Sequence, residues 1–177
     1  MEIKRVVVGY LECNCYILDI NNEVLVIDPG DEYKKIKREL EGKKVLGVLI
    51  THRHFDHIGG VEEIVRDYGC PVYDYYNLEE GIKKIGNFGF EVIRFPGHSK
   101  DLVGYYFRDE KMMFLGDFIF KRSIGRCDLE GGNELEMEKS LEKIKKYSDD
   151  IIIYPGHGEK TSLGEEKKYN RYFGLEK

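Results

Sequence analysis

Alanine, glutamine and tryptophan are missing from this sequence, and proline and cysteine occur only four times each. The cysteines, at 13, 15, 70 and 127, form no Cys-x-x-Cys pair. Cys13-x-Cys15 places two thiols on one strand face, and the set reads as buried free thiols. No apolar run approaches the length of a membrane span. Positive charge is not in excess either: the formal net charge is -5, which argues against a nucleic-acid partner, since phosphate binding needs a basic face. Behind Met1-Glu2-Ile3-Lys4-Arg5 there is no apolar signal core, so the cytoplasm is the expected location. No linker-like or low-complexity segment divides the 177 residues, and one domain over 1–177 is expected, large enough to bury a core without staples. Lysine, glutamate, isoleucine and tyrosine are abundant instead. Lys/Glu enrichment with few amides is a thermophile tendency, although an AT-rich genome produces a similar bias.

What is present is concentrated in Thr51-His52-Arg53-His54-Phe55-Asp56-His57-Ile58-Gly59-Gly60. The run Leu46 to Ile50 reads as a buried strand leading into it, and a helix pattern begins at about Gly60. Imidazole nitrogen and carboxylate oxygen are ligands of zinc, iron and manganese. An extended His52-x-His54 puts both rings on one side of the backbone, with Asp56 pointing the same way. Four ligand-type groups exceed what one tetrahedral ion shares with water and a substrate, so their number suggests two metals. The other two of the five histidines, His98 and His157, each follow a strand-like run and a Pro-Gly pair. Asp117 follows Met112-Met113-Phe114-Leu115-Gly116 in the same manner. Residues just beyond strand ends converge at one sheet edge, where α/β proteins place their sites.

Around these positions, 3–8, 15–20 and Val24–Ile27 read as strands, with Asn21-Asn22 as a hairpin turn. Tyr33 to Leu40 reads as a helix with Ile36 and Leu40 inward. Val61, Ile64, Val65 and Tyr68 form the stripe of a second helix, stopped by Gly69. Pro71–Tyr73 is a short strand and 77–87 a polar loop or helical turn. Phe88–Phe95, Val103–Phe107 and Lys111–Leu115 are further strands. Glu134–Tyr147 is a helix with Leu135, Leu141 and Ile144 on one face, Asp150–Tyr154 the final strand, and Gly164–Phe173 the closing helix.

Thr-His-x-His-x-Asp-His, with His98, Asp117 and His157 following in order, resembles the signature of the metallo-β-lactamase superfamily. The nearer likeness is to small single-domain relatives of glyoxalase II (hydroxyacylglutathione hydrolase). It extends through Asn14-Cys15-Tyr16, Ile27-Asp28-Pro29-Gly30, Pro96-Gly97-His98-Ser99, Gly116-Asp117-Phe118-Ile119-Phe120, Ser123-Ile124-Gly125-Arg126 and Tyr154-Pro155-Gly156-His157-Gly158. The resemblance implies an αββα sandwich. It also implies two divalent ions, zinc first, with iron or manganese as alternatives. His52, His54 and His98 would hold one ion, and Asp56, His57 and His157 the other. Asp117 would bridge them with a hydroxide as nucleophile, and Asp28 would brace the metal loop from behind. Asp56 and Asp117 are thus the carboxylates of the catalytic centre.

The implied reaction is hydrolysis of a small-molecule acyl thioester, S-lactoylglutathione or another. There is no Gly-x-Ser-x-Gly elbow and no spare histidine for a serine or cysteine triad. In the glyoxalase II substrate loop the matching basic position is Arg126, with Asp128 where a tyrosine is usual. Lys121 and Arg122 are further candidate anion anchors. The sequence after His157 is too short for the helical domain that grips glutathione, so a thioester is expected without glutathione specificity. Other readings remain open. A persulfide dioxygenase of this fold holds one iron through the counterparts of His52, His98 and Asp117. A non-catalytic metal-binding domain would be expected to have lost ligands, and none is lost. The diiron reductase branch needs an acidic residue at His54, and a ribonuclease of this fold a basic face and an extra domain. Oligomeric state is not legible.

Overall fold

The computed structural model describes residues 1–174. Two sheets stand face to face. The first contains β1 (Glu2–Val8), β2 (Cys13–Ile20), β3 (Glu23–Ile27), β4 (Lys44–Leu49) and β5 (Val72–Tyr73), in that spatial order. Its first three strands are antiparallel, and β3, β4 and β5 run parallel. The second contains β6 (Gly81–Ile85), β7 (Phe88–Arg94), β8 (Val103–Phe107), β9 (Met112–Gly116), β12 (Ile152–Pro155) and β13 (Thr161–Ser162), adjacent in that order. A separate ribbon pairs β10 (Ile119–Phe120) with β11 (Ser123–Ile124). The helices are α1 (Tyr33–Glu39), α2 (Phe55–Ile58), α3 (Val61–Tyr68), α4 (Glu134–Ile144) and α5 (Leu163–Tyr169).

Period-two alternation of side chains explains why helices cover both outer faces. In β2 and β3, Cys13, Cys15, Ile17, Val24 and Val26 point outward, into one cluster with Ile36 of α1 and Ile64 of α3. Their neighbours Tyr16, Leu18, Leu25 and Ile27 point the other way, against Phe88, Phe90, Tyr105, Phe107 and Phe114 of the second sheet. Met113 and Leu115 of β9 turn to the second sheet's outer face, where Met137, Leu141 and Ile144 of α4 meet them. The order is therefore α, β, β, α, and the central strands β2, β3 and β9 carry two apolar faces.

Local chemistry sets the connections. Asn21 and Asn22, with φ of 53° and 66°, make the left-handed pair that a two-residue hairpin needs between β2 and β3. At the edge that carries the histidines the two sheets are tied together. Asn14 donates its backbone N–H to the Gly156 carbonyl at 2.7 Å, and its side-chain amide to Pro155 O at 3.0 Å and Gly158 O at 2.9 Å. The Tyr16 hydroxyl donates to Pro155 O at 2.7 Å.

Several sequence expectations are corrected. Residues 81–85 form an edge strand, β6, rather than loop or helical turn, pairing Gly81 with Val92 and Ile85 with Phe88. Its period is hidden because Lys83 and Lys84 occupy alternate faces of an edge where charge is tolerated. Leu135 is 68% exposed and does not belong to the buried face of α4. Asn133 caps the helix by accepting from Glu136 N, and this phase buries Met137, Ser140, Leu141 and Ile144. β12 is followed by the short strand β13, and the closing helix stops at Asn170 before a 3-10 turn over Arg171–Phe173. Among the described residues no helix is long and apolar enough to cross a membrane.

Candidate metal centre

Each ligand-type residue lies just beyond a strand: His52 after β4, His98 after β7, Asp117 after β9 and His157 after β12. Asp56 and His57 sit on α2, a single helical turn inserted between the strand and α3. The extended course expected through Asp56 therefore ends at His54. Asp56 still faces the histidines, because the helical turn swings its carboxylate to 3.2 Å from His157 Nε2 and 3.6 Å from His57 Nε2.

Two clusters result. In the first, His54 Nδ1 lies 3.1 Å from His52 Nε2 and 2.9 Å from His98 Nε2. Donors around a tetrahedral zinc ion, each about 2.0–2.1 Å from it, stand about 3.3–3.4 Å apart, close to this spacing. The second cluster comprises Asp56, His57 and His157. Asp117 lies between them, with Oδ1 3.3 Å from His57 Nε2 and Oδ2 3.5 Å from His157 Nε2 and 3.6 Å from His98 Nε2.

Outer contacts aim the rings. His98 Nδ1 donates to Arg126 O at 2.7 Å, and His157 Nδ1 to Leu11 O at 2.9 Å. His57 Nδ1 donates to Asp28 Oδ2 at 2.9 Å. The Thr51 hydroxyl gives its proton to Asp28 at 2.6 Å and faces His52 Nδ1 at 3.1 Å. With the outer nitrogens so engaged, the inner nitrogens of His52, His57, His98 and His157 are left bare and directed at the centre. His57 Nε2 and Asp117 Oδ1 are both buried without a hydrogen-bond partner. A cation between them satisfies both, so the donor set fits metal. A third grouping, Asp28, His52 and His57, also lies within ligand distance. Its carboxylate is consumed by Thr51 N–H at 2.7 Å, the Thr51 hydroxyl and His57, which makes it a brace.

Electrostatics follow the same division. Burial, the His57 charge and the other imidazoles depress His52 well below the usual histidine range. Burial opposes charging of His57, yet the carboxylates of Asp28 and Asp117 outweigh it and hold the ring well above that range. His157 is likewise pushed up to about 10 by Asp117 and Asp56 against burial. Burial raises the Asp117 carboxyl, but the facing His157 and His57 rings outweigh it and hold it well below the usual carboxylate range. Protons and metal ions compete for these nitrogens.

The thiols stay apart from this chemistry. Burial pushes the Cys13 thiol up to about 11, and its Sγ meets His57 on the Nδ1 side at 3.6 Å, away from the inner nitrogen. Cys15 is wholly buried and raised as well, so the pair on β2 is neutral and structural.

The centre opens into a cleft of about 1060 Å³. Arg126 lines it, but its guanidinium is taken by Asp128 at 2.6 and 2.7 Å. Lys121 and Arg122 are not on the wall: Lys121 pairs with Glu159 at 2.8 Å and Arg122 with Glu165 at 2.9 Å. Sequence reading missed Lys100, Arg53, Leu11, Phe55 and Leu129, all of which line the cleft. Phe55 carried a signal, being a large apolar side chain inside a ligand motif, whereas Lys100 carried none.

Comparison with known proteins agrees with this geometry. The model of the metallo-beta-lactamase superfamily matches residues 8–81 and 74–157. The hydroxyacylglutathione hydrolase GloC of Haemophilus influenzae is 31% identical over 209 residues, covering 97% of this chain and 98% of that protein. The crystal structure of the B3 metallo-beta-lactamase BLEG-1 superposes with a TM-score of 0.94 at 30% identity, over 98% of this chain and all of the other. That of TTHA1623 in a di-iron-bound form gives 0.89 at 31% identity, over 96% and 99% of the two chains. The chain therefore belongs to the metallo-β-lactamase superfamily, with a glyoxalase II-like fold and the metal-binding groups of a metal-dependent hydrolase.

Proposed function

We propose that the chain is a binuclear metallohydrolase cleaving an acyl thioester. His52, His54 and His98 would hold one ion and Asp56, His57 and His157 the second. Asp117 would reach both. The observation that carries this reading is the position of Asp117 between two histidine clusters, with its Oδ1 and the facing His57 Nε2 buried and unpartnered. A set of five imidazoles and two carboxylates suits zinc, with iron as the alternative. Two such ions supply Lewis acidity toward water and the acyl oxygen at neutral pH.

The chain's own groups supply the rest. Asp28 and the carbonyls of Leu11 and Arg126 keep the histidine protons on the outer nitrogens. Burial raises the Asp56 carboxyl, but the facing His157 and His57 rings outweigh it, and it lines the cleft with a lowered pKa. Ionised, it would serve as a ligand of the second ion rather than as a base, and the acyl carbon takes up the oxygen of water. The C–S bond then breaks, and the products are a carboxylate and a thiol. Thiolate is a good leaving group, which suits a cleft whose histidines are all engaged.

A one-iron dioxygenase is less well supported, since His54 is held within 3.1 Å of both partner nitrogens and a two-histidine, one-carboxylate site would not use it. The test is elemental analysis of metal-saturated protein alongside hydrolysis of a thioester panel. Two equivalents per chain with thioester cleavage are expected. A ceiling of one equivalent, with oxygen consumed on persulfide, would overturn the proposal.

A further inference from the structure

Resting on the thioesterase reading, we infer that the cleft selects thioesters with a straight apolar acyl chain, bedded on Leu11, Phe55 and Phe120, whose thiol part carries an anion toward Lys100. Phe55 lies between His54 and Asp56 and is 75% exposed, an unusual position for a large apolar ring next to a polar centre. Leu11 is also exposed, and its carbonyl holds His157. The Phe120 ring stands 6.1 Å from that of His157. Leu11 and Phe120 thus stand on the His157 side of the cleft, and Phe55 adds an apolar ring on the same cleft between a residue of each cluster. A short polar acyl group such as lactoyl would leave them in water.

Charge on the walls narrows the other end. Three cations line the cleft: Arg53, Lys100 and Arg126. Arg53 donates Nε to Asp74 at 2.7 Å, and Nη2 meets the same carboxylate. Arg126 is cancelled by Asp128. Lys100 makes no ion pair among the described residues and follows His98 by two positions; Glu130, on the same wall, is also outside the ion pairs. An acyl chain on Leu11 and Phe120 lies toward His157, which leaves the thiol part to the side of His98 and Lys100.

The experiment uses metal-loaded protein and acetyl, butanoyl, hexanoyl and octanoyl esters of one anionic and one neutral thiol, with S-lactoylglutathione for comparison. Each buried methylene is expected to raise kcat/KM by about three- to fourfold. Phe55→Ala should flatten that slope. Lys100→Ala should lower kcat/KM for the anionic thiol about three- to fivefold more than for the neutral one. Calorimetric binding of the matching alkyl carboxylates gives a second readout that needs no turnover. If no thioester is cleaved the thioesterase reading fails, while affinity rising with carboxylate length still supports the apolar bed. A flat length dependence in both measurements overturns the inference, as does selectivity confined to the glutathione ester. A change in solution mass with Phe55→Ala, and no change in slope, would assign the rim to self-association and overturn it too.

Discussion

Asp28→Asn changes one buried oxygen to an amide nitrogen and should disable the second cluster without unfolding the chain. Asp28 has φ of 48°, a left-handed conformation that Asn accepts as readily as Asp, so the backbone is not strained by the exchange. Its carboxylate accepts three hydrogen bonds, from Thr51 N–H at 2.7 Å, the Thr51 hydroxyl at 2.6 Å and His57 Nδ1–H at 2.9 Å. With the amide oxygen kept on Thr51 N–H, the amide NH2 faces the Thr51 hydroxyl and His57. The imidazole answers by moving its proton: Nδ1 accepts from the amide, and Nε2 becomes N–H. That hydrogen then points at Asp117 Oδ1, 3.3 Å away, where a cation is expected.

Loss of such a supporting contact costs about 10- to 100-fold in metal affinity, equivalent to about 1.4–2.8 kcal/mol. The weakened hydrogen bonds to a buried charge add about 2–4 kcal/mol of lost folding stability. The loss should fall on the cluster of Asp56, His57 and His157. His52 keeps the Thr51 hydroxyl on its Nδ1, so the first cluster should weaken only a few-fold. Competition titration against a chelating dye resolves the two sites, and urea denaturation followed by tyrosine fluorescence reports folding. Wild-type affinity at both sites in a folded Asp28→Asn protein would refute the tautomer argument. Equal loss at both would show that Asp28 acts on the whole loop instead of on His57.

Asp117→Asn removes a carboxylate that faces the inner nitrogens of histidines from both clusters; at least one metal equivalent should be lost or loosened, and turnover should fall by a factor on the order of 10² or more. Near-normal turnover with both equivalents retained would take Asp117 out of the centre. Gly156→Ala would place a Cβ 2.2 Å from Asp117 Oδ1 and 2.7 Å from His57 Cε1, so metal affinity should fall even though the added group is one methyl. Metal titration with wild-type affinity for that variant would show that the carboxylate can move aside freely.

The three glycines that precede His98, Asp117 and His157 are legible in the sequence as a pattern, but their reasons differ. Gly116 combines φ of 50° with crowding, a Cβ there falling 2.3 Å from Thr51 Oγ1, while Gly156 is required by crowding against Asp117 and His57 alone. Spacing alone cannot distinguish a backbone need from a steric one. The central strands of both sheets were readable because apolar residues fill both faces; β6 was not, because Lys83 and Lys84 mask an edge, nor was β13, which is only Thr161–Ser162. All five histidines could be assigned to one region because each follows a strand end. The four-residue α2 could not be, since one turn has no periodicity to detect.

Recognition of substrate is the part least visible in sequence, for a physical reason. A basic residue in a motif-like loop looks like an anion anchor until its neighbours' charges are counted in space. Arg126 has its own counter-ion two residues away, and Lys121 and Arg122 have theirs on distant segments, at Glu159 and Glu165. What acts on a ligand is the residual charge and apolar surface left after such pairing. Here what is left is Lys100, two positions after His98, and the rings of Phe55 and Phe120, of which only Phe55 stands out in the sequence, as an apolar ring inside a ligand motif. The metal ligands were legible because their chemistry is carried by residue type. The cleft was not, because its chemistry is carried by what each side chain is not already touching.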